Sequence, residues 1–240
     1  MAKTIAVVAD TGFGKSTALA PIKEIGHVGL NPKETLIINV KNKPLPFKGW
    51  KKHYLPIRSK EDLKKGNYLA SSDYGVIIDT INYFDQNRKE IKNVVIDDFQ
   101  YVMADNFMKD ALKSGFDKFN KLAKRTYDVI NAGIEMRDNV NFIVLTHSEI
   151  VETQDFGTSY KMKTIGKMLD DKVKLEGLFT IVLYGKSEWN GKEGKAVRNF
   201  VTNRDGQYPA KSPLGMFDNL YVPNDLGKIV NTMNAYYEGE

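Results

Sequence analysis

A short apolar strand that runs straight into glycines, a lysine and two hydroxyls leaves a chain few options. Residues 4–17 read "TIAVVADTGFGKST". The run up to Ala9 is continuously apolar, which predicts a strand covered on both faces, as in a parallel sheet. The stretch from Ala9 to Ser16 fits G-x-x-x-x-G-K-[ST], with Ala9 in the first glycine position and then Asp10, Thr11, Gly12, Phe13, Gly14, Lys15 and Ser16. Ala9 is a mild departure, because alanine is small and the close backbone approach is made by the later part of the loop. Glycines allow the tight turn, and successive backbone N–H groups converge on a β-phosphate. Lys15 sets a positive charge against β/γ oxygens and Ser16 offers a hydroxyl to Mg²⁺. Thr17 and the N-terminus of a short helix over "GKSTALAPIKEI" complete the anion site. Residues Asp10 to Thr17 are thus expected to hold ATP.

A site of this kind needs a second oxygen ligand for the metal, at the end of an apolar strand expected to lie beside the first. "NVVIDDFQ" supplies Asp97, expected to contact Mg²⁺ through water, and Asp98, placed to polarise an attacking water. The strand "NFIVLTH" ends in Thr146 and His147, where a polar sensor of the γ-phosphate would stand; a histidine there serves equally as a local hydrogen-bonding residue.

The rest of the chain alternates strand and helix. "TLIINV", "NFIVLTH" and "LFTIVLYG" read as further strands, and "NVVIDDFQYVM" contains another. Helices are expected over 73–87, with Asp73 as N-cap, and through 118–138, where Phe119, Leu122, Ala123, Tyr127, Ile130 and Ile134 recur at spacings of three and four. After residue 180, "FTIVLYGKSEW" and "KAVRNFVTNRD" read as a hairpin turned at "NGKEG", and "NDLGKIVNTMNAYYE" as a closing helix. The expected class is α/β: a mainly parallel sheet flanked by helices, with an antiparallel C-terminal extension. We read one domain over 1–240, with 1–185 as the α/β core and 186–240 as hairpin extension and helix.

Composition narrows the chemistry. The 240 residues include no cysteine, which excludes thiolate zinc sites and disulfides, and histidines only at 27, 53 and 147. No run reaches the roughly 18 apolar residues of a membrane span, so the expectation is a cytoplasmic protein (in a host cytoplasm if phage-encoded). The chain carries a net +5, and residues 41–65 alone hold nine Lys/Arg against Glu61 and Asp62, a local +7 that leaves −2 elsewhere. Phe47, Trp50, His53 and Tyr54 lie among these cations. Such interleaving suits a polyanion with bases to stack, and equally a solvated lysine-rich loop.

With the phosphate loop, Asp97-Asp98 and Thr146-His147 in hand, the chain resembles the RecA-like P-loop ATPases. More narrowly it is similar to the compact phage ATPases of that superfamily that anneal single-stranded DNA in recombination. The resemblance covers nearly the whole chain and rests on "ADTGFGKST", "VVIDDFQ", "IVLTHSE", "YKMKTIGKML" and "FVTNRDGQYPAKSPLGMF". It implies ATP and Mg²⁺ as cofactors, single-stranded DNA as partner, self-association into a filament or ring, and company with a single-strand-binding protein. It also implies that loops after the fourth and fifth strands face the DNA. These are 149–165, with Tyr160, Lys161 and Lys163, and 186–195, with Lys186, Trp189, Lys192 and Lys195. In this superfamily a neighbouring subunit completes the site with a cation, and Arg204 and Lys211 are the candidates, in trans or, beside the base, in cis. One departure is the strand end "IINVKNK", where the resemblance would put a catalytic glutamate and this sequence has no acid.

Three other readings remain at this level. A nucleotide or small-molecule kinase would need an arginine-rich lid, whereas Arg125 and Arg137 are well separated. A ring-forming motor would append a helical lid where this chain has strands. An ATP-dependent assembly or adaptor protein with little hydrolysis would differ from the main reading only in turnover.

Overall fold

The computed structural model describes residues 1–239, apart from 113, 114, 116, 154–156, 166–172, 192 and 193. Strands β1 (Lys3–Val8), β2 (Thr35–Asn39), β5 (Asn93–Asp97), β6 (Asn141–Thr146) and β9 (Ile181–Asn190) are the five expected from their apolar runs. Two-residue strands β3 (Pro56–Ile57) and β4 (Tyr68–Leu69) extend the sheet on one side. On the other, β10 (Lys195–Val201) and β11 (Tyr221–Pro223) extend it. The nine lie in the order β11-β10-β9-β1-β6-β5-β2-β4-β3. From β9 to β3 every pairing is parallel, and β10 and β11 add antiparallel pairs. β5 is not the neighbour of β1 that we expected, because β6 lies between them.

The continuous apolar runs have a direct cause. Alternate residues of each central strand point to opposite faces, and both faces are covered. Ala6, Val8, Val94, Ile96, Phe142 and Val144 enter one core, under α1 (Tyr74–Asn87), α2 (Gln100–Lys109) and α3 (Asp117–Ile134). Ile5, Val7, Val95, Ile143 and Leu145 enter the other, under α4 (Leu226–Glu238) and parts of segments 13–30 and 45–54. The α/β class, the mainly parallel sheet and the antiparallel extension are therefore as expected from the sequence.

Asp73 caps α1, its carboxylate accepting from the Val76 N–H at 3.1 Å. In α3 the buried stripe is Leu122, Thr126, Val129, Ile130 and Gly133. Leu122 and Ile130 were expected there; Phe119, Ala123, Tyr127 and Ile134 are half-buried at its flanks. Helix α2 was not expected. Residues 148–162 form a separate hairpin of β7 (Ser148–Thr153) and β8 (Gly157–Met162).

The expected helix over "GKSTALAPIKEI" is replaced by two single 3₁₀ turns, Thr17–Leu19 and Lys23–Ile25. Pro21 is the reason: the residue before a proline is pushed out of the helical region, and Ala20 sits at φ −87°, ψ 136°. Helix α4 packs against the first of these turns. Its cap, Asp225, is fully buried and accepts from four backbone N–H groups. These are Val28 (2.7 Å), Gly29 (3.0 Å), Gly227 (2.9 Å) and Lys228 (3.4 Å).

Asp225→Ala removes the acceptor of two helix N–H groups and two loop N–H groups at once. We expect it to cost about 3 kcal/mol of stability, read as a lower urea midpoint at unchanged slope, with Asp225→Asn losing clearly less.

Candidate active site

The C-terminal ends of β1, β2, β5 and β6 open onto a cleft of about 360 Å³ lined by Thr11, Gly12, Gly14, Lys15, Ser16, Thr17, Asn39, Lys43, Pro44, Leu45, Pro46, Asp97, Asp98 and His147. The loop from Asp10 to Thr17 forms one wall. Gly12 and Gly14 take φ of 83° and 95°, which glycine adopts without strain. Gly14 is further restricted, because a Cβ there would stand 3.2 Å from Asn224 Nδ2. Asn224 donates to the Gly14 carbonyl at 3.2 Å and so braces the loop from the C-terminal segment. Phe13 turns inward, its ring 5.7 Å from that of Phe200. Its side chain anchors the loop, and only its backbone is available to a ligand. Asp10 lies outside the cleft and accepts a hydrogen bond from Ser148 Oγ.

Lys15 is almost buried, its ammonium donating to the carbonyls of Ala9 (2.7 Å) and Asp10 (3.0 Å). Burial lowers its pKa to about 8, against the pull of Asp98, Asp97 and Asp10. Ser16 Oγ donates to Asp97 Oδ2 at 2.8 Å, so the two expected metal ligands touch although β6 separates their strands. Asp97 is 4% exposed, and its other oxygen, Oδ1, is buried without a hydrogen-bond partner. Burial raises its pKa to about 6. Among the described residues no group of three or more His, Asp and Glu is arranged to hold a metal ion by itself. Mg²⁺ takes one or two protein oxygens and completes its shell with water and phosphate. An unpaired carboxylate oxygen beside a serine hydroxyl fits it.

Asp98 has φ 65°, a left-handed backbone that aspartate tolerates better than most residues. The turn lets consecutive carboxylates face the same cleft, where an extended strand would have sent them to opposite sides. Lys43 Nζ stands 2.7 Å from Asp98 Oδ2 and His147 Nε2 stands 3.4 Å from Oδ1. Burial alone would raise the Asp98 pKa, but hydrogen bonds from His147 and Lys43 carry it down to about 2. His147 Nδ1 is 3.2 Å from Thr11 Oγ1, so this ring links the phosphate loop to the second acid. Thr146 is fully buried, and its hydroxyl donates to Gln100 Oε1 at 3.4 Å.

The remaining expected site residues lie elsewhere. Arg204 and Lys211 are exposed and outside the cleft; Lys211 lines a different cavity together with Lys161. Tyr160 is stacked on Tyr208, centroids 4.5 Å apart, and is half-buried. Lys161 pairs with Glu149 at 2.9 Å. Lys186 is held by Glu188 at 3.1 Å and lies over the Tyr221 ring. Lys163, Trp189 and Lys195 are exposed, Trp189 to 72%, and Lys192 lies outside the described residues. In the basic segment Tyr54 is buried, and Phe47 and Trp50 pack against the core. Only His53 of its aromatic-ring residues is exposed.

Three residues were missed. Lys43 follows β2, at the strand end where a glutamate was sought. Asn224 and Arg198 come from the far end of the chain. Arg198 passes beside the phosphate loop, its Cδ 3.8 Å from where a Gly14 Cβ would be. No motif announces a contact of that sequence separation.

No family model and no curated relative matches the chain. Among solved structures it is similar to the KaiC-like protein PH0186 of the hyperthermophilic archaeon Pyrococcus horikoshii OT3. The two are 14% identical, with 87% of this chain and 82% of that one covered at a TM-score of 0.46. The cleft's chemistry is carried by its own side chains.

Asp97 yields a stability test with a definite sign. Its folded pKa lies above the ordinary carboxylate value, so between about pH 4 and 6 the folded protein holds a proton that the unfolded chain releases. Stability from this group is present at low pH and lost as pH rises through about 6. Asp97→Asn is therefore expected to be more stable than the parent at pH 7.5, by on the order of 1–3 kcal/mol, with the gap closing toward pH 4. Denaturant melts of both proteins across that range read it directly.

Proposed function

We propose that this chain is a RecA-like, Mg²⁺-dependent ATPase that binds single-stranded DNA and assembles on it, as the phage annealing proteins it resembles do. The observation that carries the ATPase part is the convergence of Lys15, Ser16, Asp97, Asp98 and His147 on one cleft. In this reading Lys15 leaves its two carbonyl partners for the β/γ oxygens of the nucleotide. Ser16 and Asp97 hold the metal, which when bound neutralises charge on those oxygens. Asp98 orients water, and His147 couples that acid to Thr11 in the phosphate loop. Arg204 and Lys211, exposed and away from the cleft, suit delivery to a neighbouring subunit.

The DNA part is supported by position. Strand β9 pairs with β1 only as far as Tyr184, so residues 185–190 run past the end of β1 on the cleft side of the sheet. The β7–β8 hairpin starts directly after β6 on the same side. Both project beside the phosphate loop, with Lys163, Trp189 and Lys195 exposed.

One observation favours a second reading, in which ATP acts as an assembly switch with little hydrolysis. A carboxylate tied to Lys43 and held near pKa 2 is a weak proton acceptor.

ATP turnover with and without single-stranded DNA separates the two. Turnover that rises with DNA, and falls by on the order of 10²-fold or more in Lys15→Ala, supports the ATPase reading. DNA-dependent assembly with ATP but no turnover supports the switch. If DNA has no effect and is not retained at low salt, the DNA part fails.

A further inference from the structure

On the far side of Pro44 from the phosphate cleft lies a second cavity, of about 670 Å³, walled by Trp50, Tyr54 and Tyr68 and bordered by Lys51 and Arg58. We propose that this cavity takes an unpaired base of single-stranded DNA, with Lys51 and Arg58 on the flanking phosphates. The inference rests on the DNA reading above and puts a DNA contact at a cavity that no described residue of either hairpin lines.

Two features of the site point the same way. The first is its rings. Trp50 packs on Tyr68, with centroids 5.2 Å apart, and is only half-buried, so part of its surface remains for a planar ligand. Base-on-aromatic stacking is tolerant of sequence because every base presents a π-face. The second is charge. The cavity sits within the segment that carries +7, and three of that segment's cations are engaged elsewhere, Lys41 with Asp105, Lys43 with Asp98 and Lys64 with Glu61. Lys51, by contrast, rests over the Trp50 ring, and it and Arg58 are exposed at the cavity edge. A cation beside a ring matches a nucleotide, which presents a phosphate beside a base.

Pro44 borders both cavities, and Lys43 beside it holds Asp98. A strand seated here therefore presses on the same short strap that reaches the second acid of the nucleotide site.

Trp50 and Trp189 are the two tryptophans of the chain, so the part of the emission that belongs to Trp50 is the difference between the parent and Trp50→Phe. Binding of oligo(dT) is then followed by Trp50 emission and, independently, by anisotropy of a labelled oligonucleotide, with nucleotide binding measured in the same samples. The expected result is quenching of Trp50 that saturates with the anisotropy. Lys51→Ala/Arg58→Ala should bind at least about ten-fold more weakly, with the salt slope reduced by about 1.4, from two phosphate contacts at about 0.7 each. Lys33→Ala/Lys228→Ala removes the same charge from other surfaces and should bind as the parent does. Oligonucleotide binding with unchanged Trp50 emission, or binding as tight in Lys51→Ala/Arg58→Ala as in the charge-matched control, overturns this inference and leaves the DNA reading standing. No oligonucleotide binding by the parent at low salt, with nucleotide still bound, overturns both.

Discussion

A carboxylate removed from water must be compensated, and the cleft is arranged around one that is compensated only by half. Asp97 sits at the end of a strand buried on both faces, with one oxygen hydrogen-bonded to Ser16 and the other without a partner. The cost shows in its raised pKa. Leaving a buried acceptor unmade is expensive in a protein interior, so the arrangement makes sense as a ligand site whose remaining bond comes from outside the chain. The neighbouring acid has the opposite treatment. Asp98 is turned by its left-handed backbone into the same cleft, but meets Lys43 and His147 and stays ionised. Of the two adjacent aspartates, burial holds the first up at about 6, while hydrogen bonds from His147 and Lys43 bring the second down to about 2.

The strap after β2 ties these local effects to the rest of the surface. Asn39 fixes it by donating to the Lys43 carbonyl at 2.8 Å, and Asn42 takes φ 52° to turn it. Lys41 and Lys43 both lie over the Tyr101 ring, which itself stands edge-on to His147. The basic residues that looked from the sequence like one undifferentiated patch are divided by this turn. Some face the acids of the phosphate-loop cleft and others face the aromatic cavity.

Much of the sheet was legible because each central strand serves two cores, and that requirement leaves a continuous apolar run in "TIAVVA", "NVVI" and "NFIVL". The Asp73 cap was legible for a comparable reason, since capping is a contact over three residues. What was misread involved longer or shorter range. The helix expected after Lys15 fails at Pro21, a signal that was present in the sequence and should have outweighed the apolar spacing. Strands β3 and β4 have two residues each, too few for any period to register. Trp50 and Tyr54 looked like free aromatics among lysines, yet burial of Tyr54 against the sheet was not encoded in spacing. Within the site, the residues of the motifs were found, whereas Lys43, Asn224 and Arg198 depend on which strand ends become neighbours.

The bracing of the phosphate loop has a consequence for the order in which the protein comes into being. The loop precedes its distant supports along the chain, and no long helix follows it to hold it locally. Asn224, bonded to Gly14 across 210 residues, braces the loop itself, and Asp225, bonded to Gly29 across 196, holds the segment that follows it. Until those residues have emerged and α4 has docked, a nascent chain has the sequence of the phosphate loop without its bracing. The wall of the cleft is therefore finished by a segment some two hundred residues downstream of the loop that begins it.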